Sequence, residues 1–153
     1  MSGSLQAFLI PATRKAAENL EAAFLRIPED KRAWKPMDSA RTALDQAAEV
    51  AILTGHTADL VAGRKWTMGS DFSAYEKAKA ELSQDWPGIQ ALLKTNLAKM
   101  VAAIEGVPDA DLTASIEMPW GPMTLAEIMA YPYWNMAYHE GQINYIASML
   151  GTL

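Results

Sequence analysis

YWNMAYHEGQINYI, residues 133–146, holds His139, one of two histidines in a chain of 153 residues. Asn135 lies four residues earlier, one helical turn away on the same face. Read outward, Ile128, Asn135, His139, Gln142, Ile146 and Leu150 fall on one side of a helix. The run TLAE at 124–127 has capping-box spacing and opens that helix, and Gly151 follows its end near Leu150. Three polar side chains in an otherwise apolar stripe need partners, because burying an unpaired polar group is expensive. The turn therefore reads as a metal-binding turn, as one without its metal, or as a hydrogen-bonded part of the core. Pro132 is expected to kink this helix or mark its true start. Gly141, a poor helix former, is expected to let a facing helix approach.

The rest of the chain is helical in period as well. Leu5 to about Leu25 carries Phe8, Leu9, Ala16, Leu20, Ala23 and Phe24 close to one face, with the regular part beginning near Pro11. Residues 28–36, PEDKRAWKP, read as a loop with Trp34 tucked under it. A second helix runs from a cap at Asp38 or Ser39 to about Ala62, with Gly63 suited to a left-handed end. SAYE at 73–76 has capping-box spacing and opens a short polar helix; DWP at 85–87 opens a long one that reaches Ile104, with Gly106 after it. The turn-rich residues 107–123 can form a small hairpin. Four substantial helices, one minor helix and no convincing strand set predict a single all-α domain over residues 1–153. Its economical form is a four-helix bundle with long crossover connections.

Two helical residues four apart can chelate one ion from a shared face. His139 offers an imidazole and Asn135 a neutral amide oxygen. Glu49, beside the apolar stripe of the second helix, offers a carboxylate from a facing helix. Together they form an N/O set with open positions, the pattern of a catalytic metal site. A hydrogen-bonded cluster is the alternative, with Glu49 accepting from His139 or from the Asn135 amide. His56 is left out, since seven residues place it roughly 10 Å from Glu49 along the helix.

TLAEIMAYPYWNMAYHEGQINYI, with its HEGQI element, resembles the last helix of the DinB-like (YfiT-like) superfamily. WKPMDSARTALDQAAEVA resembles that superfamily's second helix. The resemblance spans nearly the whole chain in length and helix order. It implies a four-helix bundle of unusual connectivity, often a homodimer. Three histidines hold a divalent metal there, commonly zinc or nickel. Some relatives are thiol-dependent transferases or isomerases. On this resemblance His139 matches the last ligand, Asn135 stands where a second histidine is usual, and Glu49 takes the helix-two position. Gln46 takes that position if the alignment slips by a turn, and Tyr138 stands where relatives often carry a further histidine.

Three functions follow as expectations. The first is a divalent-metal-dependent hydrolase or thiol-dependent transferase with a degenerate Glu49/Asn135/His139 metal site. The metal would lower the pKa of bound water or thiol. The chain has no cysteine, so a thiol would come from a cosubstrate. The second is a non-catalytic dimeric bundle that has lost the metal and binds a small ligand or serves a structural role. Nine methionines and five tryptophans could line its pocket or interface, or fill its core. Trp66, Tyr75, Trp120 and Tyr131 are candidates for a pocket rim or for packing. The third is a partner-binding protein using loops 63–71 and 107–122. A net charge of −5 argues against nucleic acid as partner. No apolar run approaches the roughly 18 residues of a membrane span, the N-terminal residues do not read as a signal peptide, and a cytoplasmic location is the default.

Overall fold

Residues 4–153 are described by a computed structural model. They form α1 (Leu5–Leu25), α2 (Ala43–Gly63), α3 (Ser73–Leu82), α4 (Trp86–Glu105) and α5 (Leu125–Leu150). Between α4 and α5 lies the expected hairpin, β1 (Ser115–Ile116) antiparallel to β2 (Met123–Thr124), with Ile116 opposite Met123. The all-α bundle of four long helices and a minor one is the fold that forms.

Local chemistry sets each start. At α5 the Thr124 hydroxyl accepts from the Glu127 amide and the Glu127 carboxylate accepts from the Thr124 amide, the expected capping box. At α4, Asp85 accepts from the Gly88 amide. Five other expectations are corrected. Helix α1 starts at Leu5 on a Ser4 cap and passes through Pro11. Proline there removes a hydrogen bond to the Ala7 carbonyl, and both residues are exposed, so water can serve that oxygen. Helix α2 starts on Thr42, whose hydroxyl accepts from the Asp45 amide, and not on Asp38 or Ser39. At its end Gly63 stays helical and Arg64 takes the left-handed turn at φ 57°, held by an ion pair to Asp111 at 2.9 Å. Ser73 caps nothing; it is the first residue of α3, and its amide donates to Asp71. Nor does Pro132 mark a start, since α5 is continuous around it.

In cross-section the long helices form a ring. Helix α1 packs on α5 and α4, and α2 packs on α4 and α5, while α1 and α2 barely touch. Two buried clusters show the directions. Phe24, Ala43, Ala51, Ile89 and Ile143 meet at one end, and Leu9, Ala58, Met100, Leu125 and Met129 at the other. Helices α1 and α5 therefore run together, and α2 and α4 run the opposite way. Parallel neighbours cannot be joined by a tight turn, so residues 64–85, including α3, return the chain along the bundle between α2 and α4. This is the crossover the long links imply.

The close helix approach falls at Gly55 and not at Gly141. Nothing lies within 4 Å of a Cβ built on Gly141, whereas one on Gly55 would meet the Asn96 amide nitrogen at 2.5 Å. That amide cannot simply swing away, because it donates to the Ala51 carbonyl at 2.8 Å. Alanine at 55 gains about 1 kcal/mol in helix propensity. Overpacking at the α2–α4 seam costs about 1–3 kcal/mol. Gly55→Ala is thus expected to be destabilised by about 1 kcal/mol in urea unfolding, with most of the loss recovered in Gly55→Ala/Asn96→Ala. A Gly55→Ala protein as stable as the parent would show that the seam yields.

Candidate functional site

Small residues on α2, among them Ala47, Ala48 and Ala51, are fully buried and let α5 lie close. The polar residues of both helices then meet. His139 is 1% exposed. Its Nε2 proton donates to Glu49 Oε1 at 2.9 Å, and its Nδ1 lies 3.0 Å from Gln46 Oε1. Asn135 Nδ2 donates to the same Glu49 oxygen at 3.4 Å. The three expected ligands are thus brought together. So is Gln46, the alternative to Glu49: three residues apart on α2, the two engage opposite nitrogens of one ring. With a neutral imidazole, Nδ1 is an acceptor, satisfied when the Gln46 amide turns its NH2 toward it; with an imidazolium, the carbonyl is the partner.

Arg41 completes the cluster and was not anticipated. Its Nη2 lies 2.8 Å from Glu49 Oε2, and its Nε donates to Asp45. Lys79 reaches Asp45 at 3.7 Å and Glu76 at 2.9 Å. The available signal was slight: residues 41, 45 and 49 recur every four as one cation and two carboxylates, but Arg41 precedes the helix. Burial pushes the Glu49 carboxyl up, but the His139 hydrogen bond and the Arg41 guanidinium outweigh it and bring the pKa down to about 2. Glu49 is a firmly ionised carboxylate.

The donor set does not fit a zinc or nickel ion. Glu49 Oε1 already accepts from His139 and Asn135, and Oε2 is paired with Arg41. Asn135 turns its NH2, not its oxygen, toward the carboxylate. A divalent ion would have to displace the guanidinium or stand against its charge, with a single imidazole as its one good ligand for these metals.

Glu49 also forms part of the wall of a cleft of about 270 Å³. Trp66, Phe72, Tyr75, Trp120 and Tyr131 supply its rings. All four aromatic candidates line this cleft, and Phe72 joins them. Trp66 and Trp120 meet edge to face, with centroids 5.2 Å apart. Trp66 donates its indole N–H to the Gly69 carbonyl, and Trp120 to Met123 sulfur. His56 is exposed at the rim, outside the His139 cluster. Burial, and then the Glu49 charge, push the Tyr131 and Tyr75 phenols up, so both stay neutral near pH 7.

Two parallel helix pairs of opposite direction, one of them linked by a crossover, with a polar cluster between α2 and α5, define an all-α bundle whose polar site meets an aromatic cleft. The DinB superfamily profile matches residues 12–143, and the chain belongs to that superfamily. Its fold is similar to the crystal structure of a DinB-like protein, YjoA, from Bacillus subtilis. The TM-score is 0.68 at 14% identity, over 95% of this chain and 93% of that one. It is also similar to the colibactin self-resistance protein ClbS in complex with a dsDNA, with TM-score 0.66 at 16% identity over 97% and 98%. A protein from Streptococcus pneumoniae gives TM-score 0.66 at 14% identity over 99% and 92%. No curated protein sequence matches the chain. Among the described residues no helix is long and apolar enough to cross a membrane.

Proposed function

We propose that this DinB protein binds a small molecule in its aromatic cleft and that its Glu49 cluster works without a metal. One observation carries the reading: Glu49 is at once the centre of the hydrogen-bonded cluster and part of the cleft wall. A carboxylate kept ionised by fixed partners at the edge of an apolar cavity sets the field that a bound molecule meets. The net charge of −5 favours a small ligand over a nucleic-acid backbone, and the likeness to ClbS carries the fold alone.

The convergence of Glu49, Asn135 and His139 favours a second reading, a metal-dependent enzyme. One set of experiments separates the two. Untagged protein, stripped with EDTA and dialysed against zinc, nickel or manganese, is expected to take up no stoichiometric metal and to show no thermal shift. Stoichiometric metal that His139→Ala loses would favour the enzyme instead. A screen of small apolar compounds by ligand-observed NMR is expected to find binders of the parent that fail with Leu53→Trp, whose larger ring fills the cleft. If none binds the parent, the ligand-binding reading is wrong.

A further inference from the structure

We infer that the ligand of this cleft is a small organic cation, an amine or quaternary ammonium that carries an apolar group. The inference rests on the ligand-binding reading and adds the charge of the ligand to it.

The first argument is the lining. The carboxylates that reach the cleft are those of Glu49 and Glu76, and among the described residues no lysine or arginine lines it. The second is the rings. Both indole N–H groups of the wall are already bonded, to the Gly69 carbonyl and to Met123 sulfur. What Trp66 and Trp120 offer a ligand is ring surface, whose negative face attracts cations. The third is that one wall residue already holds a cation. Lys79, 12% exposed, places its ammonium 5.3 Å from the centre of the Tyr75 ring.

Charge balance points the same way. Asp45, Glu49 and Glu76 are three carboxylates set against two cations, Arg41 and Lys79. With a neutral imidazole at His139 one negative charge is left over, and with an imidazolium the set is balanced; in neither state does it offer an anion a counter-charge. The phenols report the same field: after burial, the Glu49 charge opposes ionisation of Tyr75 and Tyr131, and it would oppose an anionic ligand likewise. Direct pairing with Glu49 is crowded, since both its oxygens are engaged. Ring faces and the net field therefore hold the cation, with the apolar group filling the Leu53 and Met118 side of the cleft. The volume, about 270 Å³, suits one ring and a head group, because drug-sized pockets run to roughly 300–1,000 Å³.

The test is a matched set measured by NMR titration: benzyltrimethylammonium, its uncharged isostere neopentylbenzene, and the anion 3-phenylpropionate. The cation is expected to bind about tenfold more tightly than the isostere, with the anion weakest. Trp66→Ala should remove most of that preference. Glu76→Gln, at an exposed site, removes one of the two cleft carboxylates and should lower the cation's affinity while leaving the isostere's unchanged. Equal binding of cation and isostere, or a preference for the anion, overturns the inference while the ligand-binding reading stands. If no member binds, the inference falls, and the ligand-binding reading falls with it when the wider screen also finds no binder of the parent.

Discussion

Glu49→Gln is expected to lose about 2–3 kcal/mol of stability at pH 7 and to lose, with it, part of the parent's sensitivity to acid. The carboxyl titrates at 4.5 in its ordinary setting and at about 2 in the folded protein. As pH falls, the unfolded chain takes up the proton first. The stabilisation from ionised Glu49 is therefore complete above about 4.5 and disappears as pH falls towards about 2. Glutamine keeps an oxygen for the His139 and Asn135 protons but offers Arg41 no charge, so a guanidinium is left half-matched. Urea unfolding of both proteins from pH 7 to pH 2.5 measures the difference. The two stability curves should converge in acid; curves that stay parallel across that range would refute the assignment.

Much of this cluster was legible because helical spacing encodes shared faces. Asn135 and His139 are four apart, Gln46 and Glu49 three apart, and each pair faces the other across the α2–α5 seam. Arg41 escapes such a reading for a physical reason. It precedes the Thr42 cap, where helical periodicity has not begun, and a long side chain carries its charge back over the first two turns. The two glycines show another limit. Gly55 and Gly141 both sit inside helices, yet one meets Asn96 at the α2–α4 seam and the other faces open space. Sequence spacing does not reveal which helix is the neighbour, because the ring order here separates α1 from α2 and α4 from α5. The cleft is harder still. Its rings come from the 64–72 segment, α3, the β1–β2 turn and α5, four stretches that only the crossover connection gathers. Trp66 or Trp120 seen alone is as consistent with core as with a pocket wall. The start of α2 is ambiguous in the sequence because Asp38, Ser39 and Thr42 are all competent caps, and the one used is the residue whose hydroxyl reaches the Asp45 amide.

His139→Ala should be destabilised by about 3 kcal/mol, and the loss should persist in EDTA. The imidazole is buried and both its nitrogens face partners. Removing it opens a cavity, strips Gln46 of its contact and leaves Glu49 with Arg41 and a long hydrogen bond from Asn135. The Glu49 side chain is 16% exposed, so water can enter and limit the loss, which keeps it below that of a sealed charge pair. Asn135→Ala removes only a 3.4 Å contact and should lose about 1 kcal/mol. The chelator separates structure from metal binding. A histidine that stabilises only as a metal ligand gives the metal-free protein nothing, so its removal is neutral in EDTA. A histidine that stabilises by donating to Glu49 is missed equally with and without chelator. Equal urea midpoints for the parent and His139→Ala in EDTA, with a gap that appears on adding zinc or nickel, would mean that the Glu49 cluster needs its ion after all.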